Sequence, residues 1–245
     1  MESQLNPHIS VDCVVFGFSP NGIKVLLVKR ELDKLNESPT PSYDLKLPGS
    51  LVYNDELLDD AASRVLKELT GIENVFLERF EVLDSLDRMK NQKDKEWLES
   101  TTGLTIDRVI SVAYFGLVNL ADSELNGLSE RSKWVTLESA NQLPFDHSKI
   151  IQRARELLLH SAGTEPIAFD LLPEKFTIFQ LQQVLEVFNG SGIDSRNFRK
   201  KLKTLDFIVP LAEKQINVAH KPAQLYKFDR KRFIQFRKQK NASFI

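Results

Sequence analysis

The stretch from Tyr43 to Ile72 constrains the fold more than any other part of the chain. Tyr43 to Leu47 reads as a strand and runs into Pro48-Gly49-Ser50, a backbone break. From Glu56 to Thr70 the residues Leu57, Leu58, Ala61, Ala62, Val65, Leu66 and Leu69 recur at helical spacing. Gly71 is placed to end that helix, because glycine takes the left-handed backbone of a C-cap without steric cost. Strand, glycine loop and one-sided helix follow in immediate succession, so the apolar stripe needs a neighbouring layer to pack on.

More strands surround this unit. Ile9 to Phe18 and Ile23 to Lys29 flank Ser19-Pro20-Asn21-Gly22, whose turn chemistry suits a hairpin. Glu31 to Pro41 is polar with two prolines and reads as a loop. Strands are expected at Val75 to Leu83 and Arg108 to Val118, a polar loop from Met89 to Thr102, and a helix from His147 to His160. Cys13, the one cysteine, lies in the apolar run Val11 to Phe16 and reads as a small buried hydrophobe without a disulfide partner. The four histidines have no zinc-ligand spacing, and no Gly-rich phosphate loop of the G-x-x-x-x-G-K type occurs.

Charge divides the chain. Residues 1–170 hold 18 Lys and Arg against 28 Asp and Glu, net −10, whereas residues 171–245 hold 15 against 6, net +9. An acidic half repels phosphate backbones and a basic half attracts them. No apolar run approaches the roughly 20 residues that cross a bilayer, and Met1 to Ser10 lacks a signal pattern, so a cytoplasmic chain without membrane partners is expected.

The basic half opens with Leu171-Leu172-Pro173, a plausible linker. Thr177 is a good N-cap for a helix carrying Ile178, Leu181, Val184, Leu185 and Phe188 on one face, ended by Asn189-Gly190-Ser191-Gly192. A second helix begins after Asp194 or Ser195 with Phe198, Leu202 and Leu205 on its apolar face. Its other face presents Arg196, Asn197, Arg199, Lys200 and Lys203. That is a helix-turn-helix, in which the second helix enters the major groove. Arg and Asn read base edges, while lysines mainly neutralise phosphates. Phe207 to Pro210 and Gln224 to Phe228 read as the strands of a wing, with Lys214 and Lys221 near the DNA backbone.

The first half resembles the Nudix family, whose box reads G-x5-E-x7-R-E-U-x-E-E-x-G-U with U a bulky aliphatic. Glu56, Arg64, Leu66, Glu68, Gly71 and Ile72 fall on box positions. Ser50 replaces the opening glycine, and Val65 and Leu69 replace two of the glutamates. Those glutamates hold Mg²⁺ in the family's hydrolases, since a hard dication needs several oxygen ligands. The resemblance therefore implies a disabled site: no enzyme, no metal and no cofactor. The second half is similar to the winged helix of the Nudix-related regulators, the NrtR group, through Phe176-Thr177, Leu181-Gln182, Asp194 to Lys201, Lys221-Pro222-Ala223 and Leu225-Tyr226.

The resemblance implies an α+β chain: a Nudix-like α/β/α sandwich over residues 1–170 that senses a ligand, then a winged helix-turn-helix domain over 171–245. Members of the group bind palindromic operator DNA as homodimers. This chain looks like the branch tied to sugar catabolism, with the arabinose-responsive AraR type, which implies an L-arabinose effector that releases a repressor from DNA. ADP-ribose is the alternative effector, and a Nudix pyrophosphatase the alternative activity. Lys46, Glu56, Glu68 and Tyr114 are the candidate effector residues; Glu56 with Arg64 reads first as a structural ion pair and second as a ligand contact, while Lys46 reads equally as an exposed strand lysine and Tyr114 as a half-buried tyrosine. Arg196, Asn197, Arg199, Lys200, Lys203 and Lys221 are the candidate DNA contacts.

Overall fold

Alternation along one long strand organises the first half of the molecule. The computed structural model describes residues 4–19, 22–32, 43–120, 128–162, 169, 171–189, 192–216 and 221–240. The chain divides into two compact units, with Ala154 closing the first and Arg155 opening the second. In the first, β1 (Leu5–Ser19) is central to a seven-stranded mixed sheet. The order is β3 (Tyr43–Lys46), β2 (Gly22–Glu31), β1, β6 (Ile110–Asn119), β5 (Leu77–Leu83); β4 (Gly49–Tyr53) also pairs β1, and β7 (Ser132–Thr136) pairs β2. β1 and β6 are parallel, in register from Ile9 with Ile110 to Phe18 with Asn119.

Successive residues of a strand face opposite sides of its sheet. On one side Val11 and Cys13 pack with Ala61, Ala62 and Val65 of α1 (Leu58–Thr70), in a cluster that includes Tyr114 of β6. Asp12 lies between them in sequence and belongs to the other side. Both faces of β1 are buried, which is why it reads as a nearly continuous apolar run. The N–H of Gly71 caps α1 by donating to Lys67 O at 2.8 Å, in the left-handed conformation with φ 78° that glycine alone adopts freely.

The segment read as a polar loop from Met89 to Thr102 is mostly α2 (Gln92–Thr102). Local capping overrides its polar composition. The Asn91 side chain accepts from Lys93 N and Asp94 N, and Gly103 closes the helix at φ 71°. α3 (His147–Ala162) forms where a helix was expected. β2, β3, β5, β6 and α1 lie within about two residues of their expected positions, β1 begins four residues earlier than expected, and β4 and β7 were not expected, while the 20–21 turn and most of the 31–41 loop fall outside the described residues.

The second unit holds α4 (Ile178–Asn189), α5 (Ser195–Leu202), an antiparallel pair β8 (Ile208–Lys214) and β9 (Gln224–Phe228), and α6 (Arg230–Lys240), which the sequence pattern had not revealed. Phe176, just before α4, bridges to Tyr226 and adds a third segment to the wing. Thr177 and Gln180 cap α4 reciprocally: Gln180 N donates to Thr177 Oγ1 at 3.2 Å, and Thr177 N to Gln180 Oε1 at 2.8 Å. The core is aromatic, with Phe169 stacked on Phe228 at 4.1 Å and Phe207 edge-on to Phe233 at 5.1 Å. Nudix-type sandwich followed by winged helix is the architecture observed.

Candidate functional site

α5 packs against α4, and its Phe198 and Leu202, with Leu205 just beyond its end, are buried. The turn between the helices is pinned by side chains of α4. Gln182 Nε2 donates to Ile193 O at 3.0 Å and Ser195 Oγ at 2.9 Å, and Ile193 N donates to Glu186 Oε1 at 2.9 Å. Asp194 caps α5 by accepting from Asn197 N at 2.8 Å. With one face of the helix fixed inward, 100° per residue forces Arg196, Arg199, Lys200 and Lys203 outward together. These four, with Ser195, line one open surface groove. None of them has a carboxylate partner among the described residues. Asn197 is exposed but stands on the flank of that strip, and Lys221 is exposed at the foot of β9. Lys214 pairs with Gln224 across the wing.

On α1 the surviving box residues form one ionic unit. Arg64 Nε and Nη2 donate to the two oxygens of Glu56 at 2.6 and 2.8 Å, Nη1 donates to Glu68 Oε2 at 3.1 Å, and the guanidinium lies 4.4 Å from the Tyr53 ring. Glu56 also accepts from Tyr53 N at 3.2 Å. The Glu56 carboxyl is held below its ordinary value by the Arg64 hydrogen bond, against the cost of partial burial. Val65 is fully buried among sheet residues and Leu69 packs against the same cluster, whereas Glu68 points out to solvent. The three positions thus do not share one open face. The family's Mg²⁺ does not fit this set: two positions carry no oxygen, and the third carboxylate is engaged by Arg64. Among the described residues no group of three or more His, Cys, Asp or Glu is placed to hold a metal ion. Tyr114 is buried on the α1 side, donating to Asp59 Oδ1 at 2.6 Å and accepting from Arg79 Nε at 3.2 Å. Burial, then the bond to Asp59, pushes its hydroxyl up to about 12.

Lys46 is elsewhere. It is buried on the Asp12 side of the sheet, donating from Nζ to Leu47 O at 3.0 Å and Gly49 O at 2.8 Å. It lines a cavity with Ser10, Asp12, Arg88, Trp97 and His147 among its walls. Asp12 is the hub. Its Oδ2 accepts from Arg88 and, at 2.6 Å, from Ser111 Oγ, and its Oδ1 lies 3.4 Å from His147 Nε2. Burial alone would raise this carboxyl, but Arg88 and then His147 hold it far below the usual carboxylate range. His147 Nδ1 accepts from Leu47 N at 3.1 Å, so the ring proton belongs on Nε2, facing Asp12. Burial lowers His147 and also lowers Lys46, to about 8, with Asp12 opposing both. β4 passes so close that a Cβ on Gly49 would meet Asp12 Oδ1 at 2.1 Å.

The four candidate effector residues therefore do not converge. Glu56, Glu68 and Tyr114 belong to α1 and its side of the sheet, and Lys46 to the opposite side. Asp12, Arg88 and His147 were not singled out from the sequence, although an aspartate inside an apolar strand is itself a signal.

A seven-stranded mixed sheet between helices, followed by a winged helix with a basic second helix, defines a sandwich domain joined to a DNA-binding module. Residues 6–154 match the NUDIX domain and residues 168–228 the NrtR DNA-binding winged helix domain, and the chain belongs to the Nudix family. It is 29% identical over 228 residues, 91% of this chain and 82% of the relative, to the ADPR responsive transcriptional repressor NtrR of Acinetobacter baylyi. Among solved structures, NrtR of Shewanella oneidensis complexed with a 27mer DNA aligns with TM-score 0.66 and 25% identity, covering 92% of this chain and 95% of that one. A MutT/nudix family protein from Enterococcus faecalis, 20% identical over 94% of this chain and 89% of its own, shares the fold at TM-score 0.63. No helix among the described residues is long and apolar enough to cross a membrane.

Proposed function

We propose that this chain is a ligand-responsive transcriptional repressor in which residues 1–170 sense a small molecule and residues 171–245 bind operator DNA. The observation that carries this reading is the outward strip of Arg196, Arg199, Lys200 and Lys203 on a helix whose other face is buried. Guanidinium groups there are free to meet guanine edges bidentately, and the lysines to neutralise phosphates. Asn197 and Lys221 are flanking contacts. The proposal includes a homodimer on a palindromic operator, since helix-turn-helix proteins commonly read two half-sites as dimers. The Nudix domain is a sensor and not an enzyme, because Val65 and Leu69 stand where the family's metal-ligating glutamates would be. The protein works in the cytoplasm, where operator DNA is.

For the effector, the ADP-ribose response of the Acinetobacter relative puts that compound first. L-arabinose, suggested by the degenerate box, has no support among the relatives and ranks second. A ligand changes DNA affinity only by binding two arrangements of the protein unequally, with coupling of about 1–3 kcal/mol, so saturating effector should weaken operator binding roughly 5- to 150-fold. The test is an operator titration by fluorescence anisotropy, with operator selected from genomic fragments and scrambled DNA as control, alone and with ADP-ribose or L-arabinose. Equal affinity for operator and scrambled DNA would remove the repressor reading. Overlapping curves with and without each compound would remove that compound as effector.

A further inference from the structure

We propose that α6 is a second DNA contact, and that Lys231 and Lys238 on its outer face hold the phosphate backbone beside the stretch that α5 reads. This rests on the reading of the second unit as a DNA-binding module. α6 carries six Lys and Arg in eleven residues and no acid, against four in the eight residues of α5. It begins beyond residue 228, where the match to the winged helix domain ends, so it is an addition to the matched module. Folding does not account for the charge at its start. Arg237, Lys238 and Lys240 stand near the end of the helix, where the dipole favours cations. Arg230, Lys231 and Arg232 fill the first turn, where the dipole disfavours them, and that turn has no acidic residue. Among the described residues the cap, Asp229, is what opposes them: its Oδ1 accepts from Arg232 N at 3.1 Å, and its Oδ2 lies 3.4 Å from Arg232 Nε. Three cations set against the dipole are compensated when a partner brings negative charge to them.

The helix is anchored, so its charges are presented in a fixed place. Phe233 is buried and edge-on to Phe207 at 5.1 Å, and the Phe236 ring lies 5.2 Å from the same partner. At 100° per residue Lys231 stands about 160° round from Phe233, and position 238, seven residues on, returns to within about 20° of Lys231. Both positions therefore belong to the outer face. Lys231 is exposed and has no carboxylate partner among the described residues. Arg232 ties the first turn to the chain that leaves α5: its Nη1 donates to Asp206 O at 3.1 Å, and Asp229 N donates to Phe207 O at 2.8 Å. Asp206 is three residues past Lys203, the last member of the DNA-facing strip. α6 thus starts beside the segment that follows α5, which favours the same duplex as its partner over a second polyanion. Lysines meet phosphates as point charges, so this contact adds affinity without sequence preference.

The experiment titrates the full chain against selected operator and scrambled duplex by fluorescence anisotropy, from about 50 to 200 mM salt. The variants are Lys231→Gln, Lys231→Gln with Lys238→Gln, Lys231→Glu and, as a control on α5, Arg199→Ala. Each lost phosphate contact should flatten the slope of log K against log salt by about one unit, and should weaken operator and scrambled duplex in the same proportion, roughly three- to tenfold. Lys231→Glu should weaken both further while its melting temperature is no lower than the parent's, because a carboxylate in the first turn suits the dipole. A role in folding alone would give the reverse: an altered melting temperature with an unaltered slope. If all three α6 variants match the parent in slope and affinity while Arg199→Ala is weakened, this inference falls and the DNA-binding reading stands. A parent without measurable affinity for either duplex removes both. Binding of single-stranded RNA that drops in the α6 variants while duplex binding holds would give the helix a different polyanion and overturn the assignment.

Discussion

The two units handle charge in opposite ways. In the sheet domain the Arg30 guanidinium is buried between Asp44 and Asp94, each at 2.5 Å, and Arg88 is buried between Asp12 and Asp146. In the winged helix the basic side chains of α5 are exposed and have no carboxylate partner among the described residues. A charge taken out of water must be compensated inside the protein, whereas a charge left in water is available to an outside partner. The acidic unit is therefore built around internal pairing and encloses a small polar cavity. The basic unit displays its charge for a polyanion.

The sharpest way to break this comparison is to remove one arginine of each kind. Arg88→Met leaves two carboxylates without their cation, and loss of one partner from a buried pair costs about 3–5 kcal/mol. That is a large part of a domain's total stability of about 5–15 kcal/mol, so the urea midpoint of the sheet domain should fall steeply. Arg196→Ala should change stability by no more than about 0.5 kcal/mol, yet cost about 1–3 kcal/mol in operator binding and relax sequence preference. Equal stability losses from the two substitutions would show that the contrast is not real.

Legibility in the sequence follows the same division. The DNA-facing strip was readable because Phe198, Leu202 and Leu205 recur at helical spacing and force their neighbours outward, a local rule needing no tertiary information. Asn197 is exposed beside the strip, and the same 100° spacing sets it about a quarter turn from Arg196. The cavity was not readable. Its walls come from β1, the β3–β4 connection, the residues before α2, α2 itself, and the start of α3, brought together by sheet topology alone. α2 was hidden because Trp97 and Leu98 are its main apolar residues, too few for a periodic stripe, although Asn91 and Gly103 were cap signals in plain view. The box pattern located Glu56, Arg64 and Glu68, and helical spacing put Val65 in the apolar stripe, but nothing in the spacing revealed that the Glu68 carboxylate is engaged by Arg64.

A smaller effect, graded with pH, sharpens the account of the buried cluster. His147 is held neutral by burial, with Asp12 only partly opposing, so its folded value lies below 6.5. Between that value and 6.5 the unfolded chain binds the extra proton, and stability falls as pH falls. Asp12 acts later: its carboxyl is depressed from 3.8, so its contribution is complete above that pH and is lost only in more acid solution. Lys46, lowered from 10.5 to about 8, makes stability rise with pH between those values. Urea midpoints followed from pH about 5 to 7 should decline on the acid side, and His147→Asn, whose amide oxygen can still accept from Leu47 N, should flatten the decline. Parallel slopes for parent and variant would mean that His147 is not the group responsible.

The smallest effect is expected at the residue that would matter most in an active hydrolase. Glu68 is about half exposed and meets Arg64 one helical turn away, a contact of the kind worth about 0.3–0.5 kcal/mol. Arg64 keeps its bidentate bond to Glu56 without it, so Glu68→Gln should lower stability by no more than that amount. Neither parent nor variant should hydrolyse ADP-ribose with Mg²⁺ or Mn²⁺, since a lone carboxylate paired with arginine offers a dication too few oxygens. Val65→Glu would not repair this, because the new carboxylate would be buried against Val11 and Cys13 with no cation beside it in that cluster. Turnover of ADP-ribose by the parent that disappears in Glu68→Gln would mean the helix still holds a catalytic metal. The sheet domain would then display functional charge to an outside partner as the winged helix does, and the contrast between the units would fail at its origin.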